Sequence, residues 1–326
     1  MKYRFLALLL VLPLTGHAAD LVDATGRTVA LPDQIARVLP AGPPAAVLLE
    51  ALAPDLMLGW PGSKPAAAQD FLPEPAAALP TVPRITGRKD VSAEVAALKP
   101  DLIVDYGDTG PRYAKTAADI QLRTGIPTVL LDGALAHTPD ALRQLGHVLH
   151  REARAEVLAH LAEMVLAGVP AAGPHPSVVY ARGGDGLAVA APGTGITEVF
   201  TLLGWRVLAP PGEGTFRQAT LEQIAALDPD VLVFGDAGMR QVIAGSPGWQ
   251  ALRAVRSGHA SIAPATPFGW TEEPPSLNRL LGLAMLSKPG QDGAAAGAPL
   301  QAVLYGRALS DAQVAAVRET LRPIAP

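Results

Sequence analysis

One short pattern occurs twice in this chain, and it constrains the fold more than any other feature. Residues 92–104 read Ser-Ala-Glu-Val-Ala-Ala-Leu-Lys-Pro-Asp-Leu-Ile-Val, and residues 221–233 read Leu-Glu-Gln-Ile-Ala-Ala-Leu-Asp-Pro-Asp-Val-Leu-Val. Ala96, Ala97, Leu98, Pro100, Asp101 and Val104 match Ala225, Ala226, Leu227, Pro229, Asp230 and Val233. In each copy an amphipathic stretch predicts a short helix, and the proline stops it because its ring and missing N–H cannot continue the ladder. The β-branched apolar run that follows predicts a strand buried on both faces, as in a parallel sheet. A generic helix-to-strand junction matched by chance is the plainer explanation. Two copies about one domain apart favour duplication.

Each half carries further α/β signals. In the first, strands are expected at 37–39, 55–60 and 127–131, with helices at 45–52 and 114–124. In the second, strands are expected at 177–181, 205–208 and 259–263, with a helix at 197–203. Helices alternating with apolar strands imply parallel sheets covered on both sides. Between the halves, Leu142, Leu145, Leu149, Val157, Leu158, Leu161 and Val165 keep near-helical spacing from Asp140 to Leu166. If continuous, this helix of about 27 residues spans about 40 Å and acts as a stiff strap. The expected fold class is therefore α/β, two Rossmann-like lobes with central sheets joined by one long rigid helix. The boundaries are a leader at 1–19, a first lobe at 20–138, the linking helix at 139–168 and a second lobe at 169–326.

Lys2 and Arg4 precede the apolar run Phe5–Leu14, and Gly16, Ala18 and Ala19 supply small residues at a cleavage site. This is the pattern of a secretory signal peptide, too short for a spanning helix of about 20 residues. No later stretch has a spanning pattern. The chain contains no cysteine, which excludes disulfides, cysteine-ligated metal, thiol catalysis and a lipid-anchored cysteine. A formal charge of -4 leaves no basic footprint for nucleic acid. The expected product is an exported, mildly acidic monomer in the periplasm.

The sequence resembles the periplasmic substrate-binding proteins of ABC importers for iron–siderophore complexes, haem and vitamin B12. The resemblance rests on the opening Val22–Pro32, on Ala97-Leu98-Lys99-Pro100-Asp101-Leu102-Ile103, on Leu227-Asp228-Pro229-Asp230-Val231-Leu232, and on Pro267-Phe268-Gly269-Trp270 followed by Pro274–Leu280. It implies two lobes around a ligand cleft, little lobe motion, no intrinsic cofactor, and delivery to a permease dimer with its ATPase. It also implies an acidic docking residue on each lobe. Glu198 is placed like the second-lobe one. In the first lobe Glu50 is out of register, which leaves Glu74.

Ligand contacts belong just after strands, where loops reach a crevice. Tyr106 follows Leu102–Asp105 and offers a ring and a hydroxyl. Arg182 follows the strand ending at Tyr180-Ala181, with Gly183-Gly184 beside it, and a guanidinium suits a carboxylate or anionic chelate. Its alternative is a solvated turn arginine, and Tyr180 is either core or cleft wall. Arg88 and Arg217 occupy corresponding loops before the two repeat helices and together favour an anion, with surface charge as the alternative. Trp60 and Trp270 are stacking walls for a planar chelate or else core fillers. Glu272, next to Glu273, is a candidate for a cationic group or a solvated pair.

His147 and His150 have helical spacing that binds zinc in other settings, but they sit on the strap with no partner nearby. Any metal is therefore expected inside a chelate, with no protein metal site. No Gly-x-Ser-x-Gly or His-Glu-x-x-His motif supports an enzyme. The expectation is a receptor for a ferric siderophore. Corrinoid, haem, a nickel chelate, molybdate or tungstate remain open, as does a non-transport metal chaperone.

Overall fold

A computed structural model describes residues 17–64, 70–87, 90–170, 175–287 and 293–324. The expected leader therefore lies outside the described residues up to residue 16. The chain opens with a hairpin, β1 (His17–Val22) and β2 (Thr28–Pro32). The first lobe follows as β3 (Val38–Pro40), α1 (Pro43–Leu52), β4 (Trp60–Pro61), α2 (Glu74–Ala78), β5 (Thr81–Val82), α3 (Ser92–Leu98), β6 (Leu102–Gly107), α4 (Pro111–Thr124) and β7 (Thr128–Asp132). Helices α5 (Thr138–Val148) and α6 (Glu152–Ala167) lead to the second lobe. That lobe holds β8 (Ser177–Arg182), β9 (Ala188–Ala190), α7 (Glu198–Leu202), β10 (Arg206–Val207), β11 (Phe216–Gln218), α8 (Leu221–Leu227) and β12 (Val231–Phe234). It continues through α9 (Met239–Ala244), α10 (Pro247–Gln250), α11 (Arg253–Arg256) and β13 (Ala260–Ile262). Helices α12 (Arg279–Leu286), α13 (Gly293–Tyr305) and α14 (Asp311–Leu321) close the chain.

Both lobes use one parallel order. In the first, β3 pairs β6 and β6 pairs β7, while a bridge from Met57 to Val38 brings the β4–β5 pair onto the other side of β3. In the second, β10 pairs β8, β8 pairs β12 and β12 pairs β13. The strand expected at 55–60 is reduced to that bridge and β4. The antiparallel β9–β11 pair, added at the carboxyl end of β8, had no sequence forecast.

The structure explains the repeated Pro-Asp. Helices α3 and α8 both end on a left-handed residue, Lys99 at φ 47° and Asp228 at φ 42°, just before the proline. The aspartate after it then reaches the start of the lobe's central strand. Asp101 Oδ2 accepts the backbone N–H groups of Ala36 and Arg37 at 2.9 Å, beside β3. Asp230 Oδ2 accepts the Ser177 N–H at 2.8 Å and its hydroxyl at 2.7 Å, at the head of β8. These bonds and Arg253 hold the Asp230 carboxyl at a pKa of about 2. The likeness extends past the aligned segments. Asp108 Oδ1 accepts the Gly110 N–H at 2.7 Å, and Asp236 Oδ1 the Gly238 N–H at 2.8 Å, in matching turns after β6 and β12.

The expected single linking helix is two helices. His150 takes φ 53°, the Arg151 N–H donates to the Gly146 carbonyl at 2.7 Å, and the His150 N–H donates to the His147 carbonyl at 3.3 Å. That is a Schellman stop with histidine, rather than glycine, in the left-handed position. Helix α6 folds back on α5, close enough that a Cβ at Gly146 would lie 2.3 Å from the Ala155 Cβ. Arg143 spans the pair, with Glu156 at 2.8 Å and Glu163 at 2.7 Å.

The helices after residue 266 do not pack mainly on the second lobe's sheet. One continuous core joins α1, α5 and α6 to Trp270, α12, α13 and α14, and takes in Val199 of α7. Arg154 of α6 ties this region together through the Ala51 carbonyl at the end of α1 and the Val303 and Leu304 carbonyls of α13. Beside it Glu50 is buried, and its Oε2 has no hydrogen-bond partner among the described residues.

Burial pushes the Glu50 carboxyl well above the usual range, against the pull of Arg154. Between the ordinary carboxylate pKa of about 4.3 and the raised one, the folded state binds more protons than the unfolded state. Stability contributed here is therefore lost as pH rises through that window. Glu50→Gln mimics the protonated form. Its stability relative to the natural protein is expected to rise between pH 5 and pH 8, as read by urea unfolding. A pH-independent difference would refute this.

Candidate functional site

The carboxyl-end loops of both sheets converge on the segment 264–279. Ser276 Oγ donates to the Pro44 carbonyl at 2.8 Å, where α1 begins after β3. Arg279, 1% exposed, is the clamp between lobes. Its Nη2 donates to the Gly133 carbonyl at 2.6 Å in the loop after β7. Its Nη1 reaches the Gly195 carbonyl at 3.0 Å and Glu198 Oε2 at 2.5 Å on the second lobe. Glu198 Oε1 accepts the Leu135 N–H at 2.7 Å, which closes the circuit. Both oxygens of Glu198 are thus engaged inside the molecule, with its side chain 20% exposed. Glu74 is exposed at the start of α2.

The polar cluster that opens to solvent lies at the end of β8. Tyr180 and Arg182 project from the same face of the strand, two residues apart. Tyr180 OH donates to Glu272 Oε1 at 2.8 Å. Arg182 Nε lies 3.4 Å from Glu272 Oε1, and its Nη2 donates to Glu273 Oε1 at 2.5 Å. The guanidinium sits over the Phe216 ring, 5.3 Å from its centroid, a favourable cation–π placement. Gly235 makes room beside them, since a Cβ there would stand 2.5 Å from Tyr180 OH and 3.1 Å from Arg182 Cγ.

Burial raises the Glu272 carboxyl despite the opposing charge of Arg182 and the tyrosine hydrogen bond. Burial and then Glu272 raise Tyr180, so it stays a neutral hydroxyl donor. Burial disfavours the charged Arg182, but Glu272 and Glu273 outweigh it and hold the pKa up.

The other sequence candidates fall elsewhere. Trp270 is 0% exposed and its Nε1 donates to the Thr266 carbonyl. Trp60 is buried against Phe268, with Nε1 on the Ala76 carbonyl. Both are core fillers, because their loops turn inward and pack on the shared core. Tyr106 is buried with its hydroxyl 3.2 Å from Thr138 Oγ1. Arg217 donates to the Pro210 carbonyl at 2.8 Å, on the opposite side of β11 from Phe216. Strand alternation in Phe216-Arg217 thus gives the cluster the ring and not the charge. Arg88 lies outside the described residues. His150 ends α5, while His147 and His160 lie near Glu152 and Glu156 at 3.7 and 2.9 Å.

Phe216 was missed beside Arg182, because its segment reads from sequence as a loop and the strand that turns its ring to the guanidinium appears only in the structure. Asp105, a charged residue inside an apolar strand, is buried, and burial lifts its carboxyl to about 6 against the Tyr106 N–H and Arg84.

A model described as periplasmic binding protein matches residues 49–266, two thirds of the chain. The chain belongs to the periplasmic binding protein family. No curated protein matches it by sequence. Among solved structures, an ABC transporter solute binding protein from Sulfurospirillum deleyianum superposes with a TM-score of 0.80 at 23% identity, over 91% of this chain and 98% of that one. A periplasmic solute binding protein from Veillonella parvula gives 0.69 at 20%, over 93% and 96%. The Haemophilus influenzae molybdate periplasmic binding protein MolA, bound to molybdate, gives 0.67 at 16%, over 90% and 99%. These likenesses establish that this binding protein shares their two-lobe fold. Among the described residues no helix is long and apolar enough to cross a membrane.

Proposed function

We propose that this binding protein is the receptor of an ABC importer, exported by a cleaved leader at residues 1–19. It captures a metal chelate, a ferric siderophore foremost, between its lobes and presents it to a permease and ATPase. The observation that carries the ligand assignment is Arg182. It stands at the end of a central strand, one third exposed, steadied by an aromatic face and two carboxylates. A guanidinium fixed in this way offers paired donors to the anionic oxygens of a chelate. Glu74 is the exposed acid available for permease docking on the first lobe.

Calorimetric titration against ferric siderophores, cobalamin, haem, nickel–histidine and molybdate tests the reading. At least one is expected to bind below micromolar. Arg182→Ala should weaken that ligand about tenfold to a hundredfold, the loss of a charged hydrogen bond. Binding of none overturns the receptor reading. Unchanged affinity in Arg182→Ala overturns the site.

A further inference from the structure

With Arg182 as the polar anchor of the receptor, a reading on which the proposal below rests, its guanidinium needs partners when the cleft is empty. The two carboxylates that meet it are not equivalent. Glu272 is buried and fixed by the Tyr180 hydroxyl at 2.8 Å, so it stays in place. The Glu273 side chain is 59% exposed and meets Arg182 Nη2 at 2.5 Å. An exposed pair of this kind shifts an equilibrium only a few-fold, so it exchanges readily for another anion. Arg182 need not move in such an exchange, because Phe216 supports its face and Glu272 keeps its place beside Nε.

We propose that Glu273 is a resident carboxylate that stands in for the ligand, and that an anionic ligand oxygen replaces it on Arg182 Nη2 while Glu273 turns to solvent. The exchange conserves the charge balance at the guanidinium, since Glu272 remains and one anionic oxygen succeeds another. It also sets a specificity threshold. A ligand must compete with a tethered carboxylate, whose effective concentration is high because it is part of the chain. Small weak anions are thereby disfavoured a few-fold, while a larger anionic chelate with further contacts outweighs the pair. A neutral chelate leaves the pair intact and gains nothing from Arg182.

The probe is citrate, a tricarboxylate, titrated while the Arg182 Nε–Hε resonance is followed by NMR and assigned by its loss in Arg182→Lys. Glu273→Gln is expected to lower the half-saturating citrate concentration about three- to fivefold. Asp236→Asn serves as a control. It removes one charge from the neighbouring turn and keeps the Oδ1 that accepts the Gly238 N–H, and it is expected to change the midpoint less than twofold. An unchanged or raised midpoint in Glu273→Gln overturns the proposal. So does an equal gain in Asp236→Asn, or a resonance that citrate does not move in any variant. If these fail while Arg182→Ala still weakens chelate binding, only the displacement is lost. If Arg182→Ala binds chelates normally, the anchor itself is lost.

Discussion

Replacing Arg279 with methionine is expected to lower the unfolding free energy by about 3–5 kcal/mol, the usual result of removing one partner from a buried ion pair. The guanidinium is 1% exposed and donates to four acceptors: Glu198, and the carbonyls of Gly133, Gly195 and Ser276. Methionine fills much of the same space but satisfies none of them. The Gly133 and Gly195 carbonyls and Oε2 of Glu198 then lose their partner between the lobes, while the Ser276 carbonyl keeps the Arg279 backbone N–H. Denaturant unfolding measures the loss, and a change under about 1 kcal/mol would count against the clamp. Adding Glu198→Gln to Arg279→Met should recover part of the loss, because the stranded carboxylate is then neutral. Coupling of this kind is what a double-mutant cycle detects. Arg279→Lys keeps the charge but loses the planar fork, so it should fall between the two.

Trp270→Ala is expected to cost about 3–5 kcal/mol of stability, the range for truncating a buried large aromatic. The indole is fully enclosed, and Gly297 and Gly282 are shaped around it. A Cβ on Gly297 would lie 2.3 Å from the ring, and one on Gly282 would lie 2.2 Å from the Trp270 carbonyl. Trp270→Phe should lose less, since it keeps most of the buried ring. The informative comparison is stability against ligand affinity. A core role predicts a large fall in denaturation midpoint and nearly unchanged affinity in whatever fraction folds. A stacking-wall role predicts the reverse, and finding it would return Trp270 to the ligand site.

Part of this fold was legible in the sequence. The repeated Ala-Ala-Leu-x-Pro-Asp announced one helix-to-strand unit per lobe, and the structure shows why the aspartate recurs: Asp101 and Asp230 each tie down the start of a central strand. The strap is where pattern and structure part. Apolar spacing continues through Leu149 and Val157, and no glycine or proline marks the break at His150. Gly146 was the available clue, because it is where Ala155 crosses closely. Helices α12 to α14 went unforecast: α13 is Ala- and Gly-rich, α12 is apolar nearly all round, and the place of all three is fixed by packing on a core shared with the first lobe.

The site divides in the same way. Strand-end position placed Arg182 and Tyr180 together on one face at the end of β8, because position in a strand is a local property, and of the two only Arg182 is partly exposed. It equally picked out Trp60, Trp270 and Tyr106, which are as buried as Tyr180 but whose polar atoms meet backbone carbonyls or Thr138 and not the Arg182 cluster. Loops after strands all look alike in one dimension, and the contacts that turn one inward come from residues far along the chain.

By itself, then, the sequence determined the class of architecture, two α/β units, and the absence of cysteine chemistry. Local periodicity, helix stops and composition suffice for these. Tertiary structure alone decided which charges face one another. It set Arg279 and Glu198 as a clamp between lobes and Arg182 with Glu272 and Glu273 at the opening. It did so because Arg279 and Arg182 meet acids some eighty to ninety residues away, held there by a shared core that no local pattern encodes.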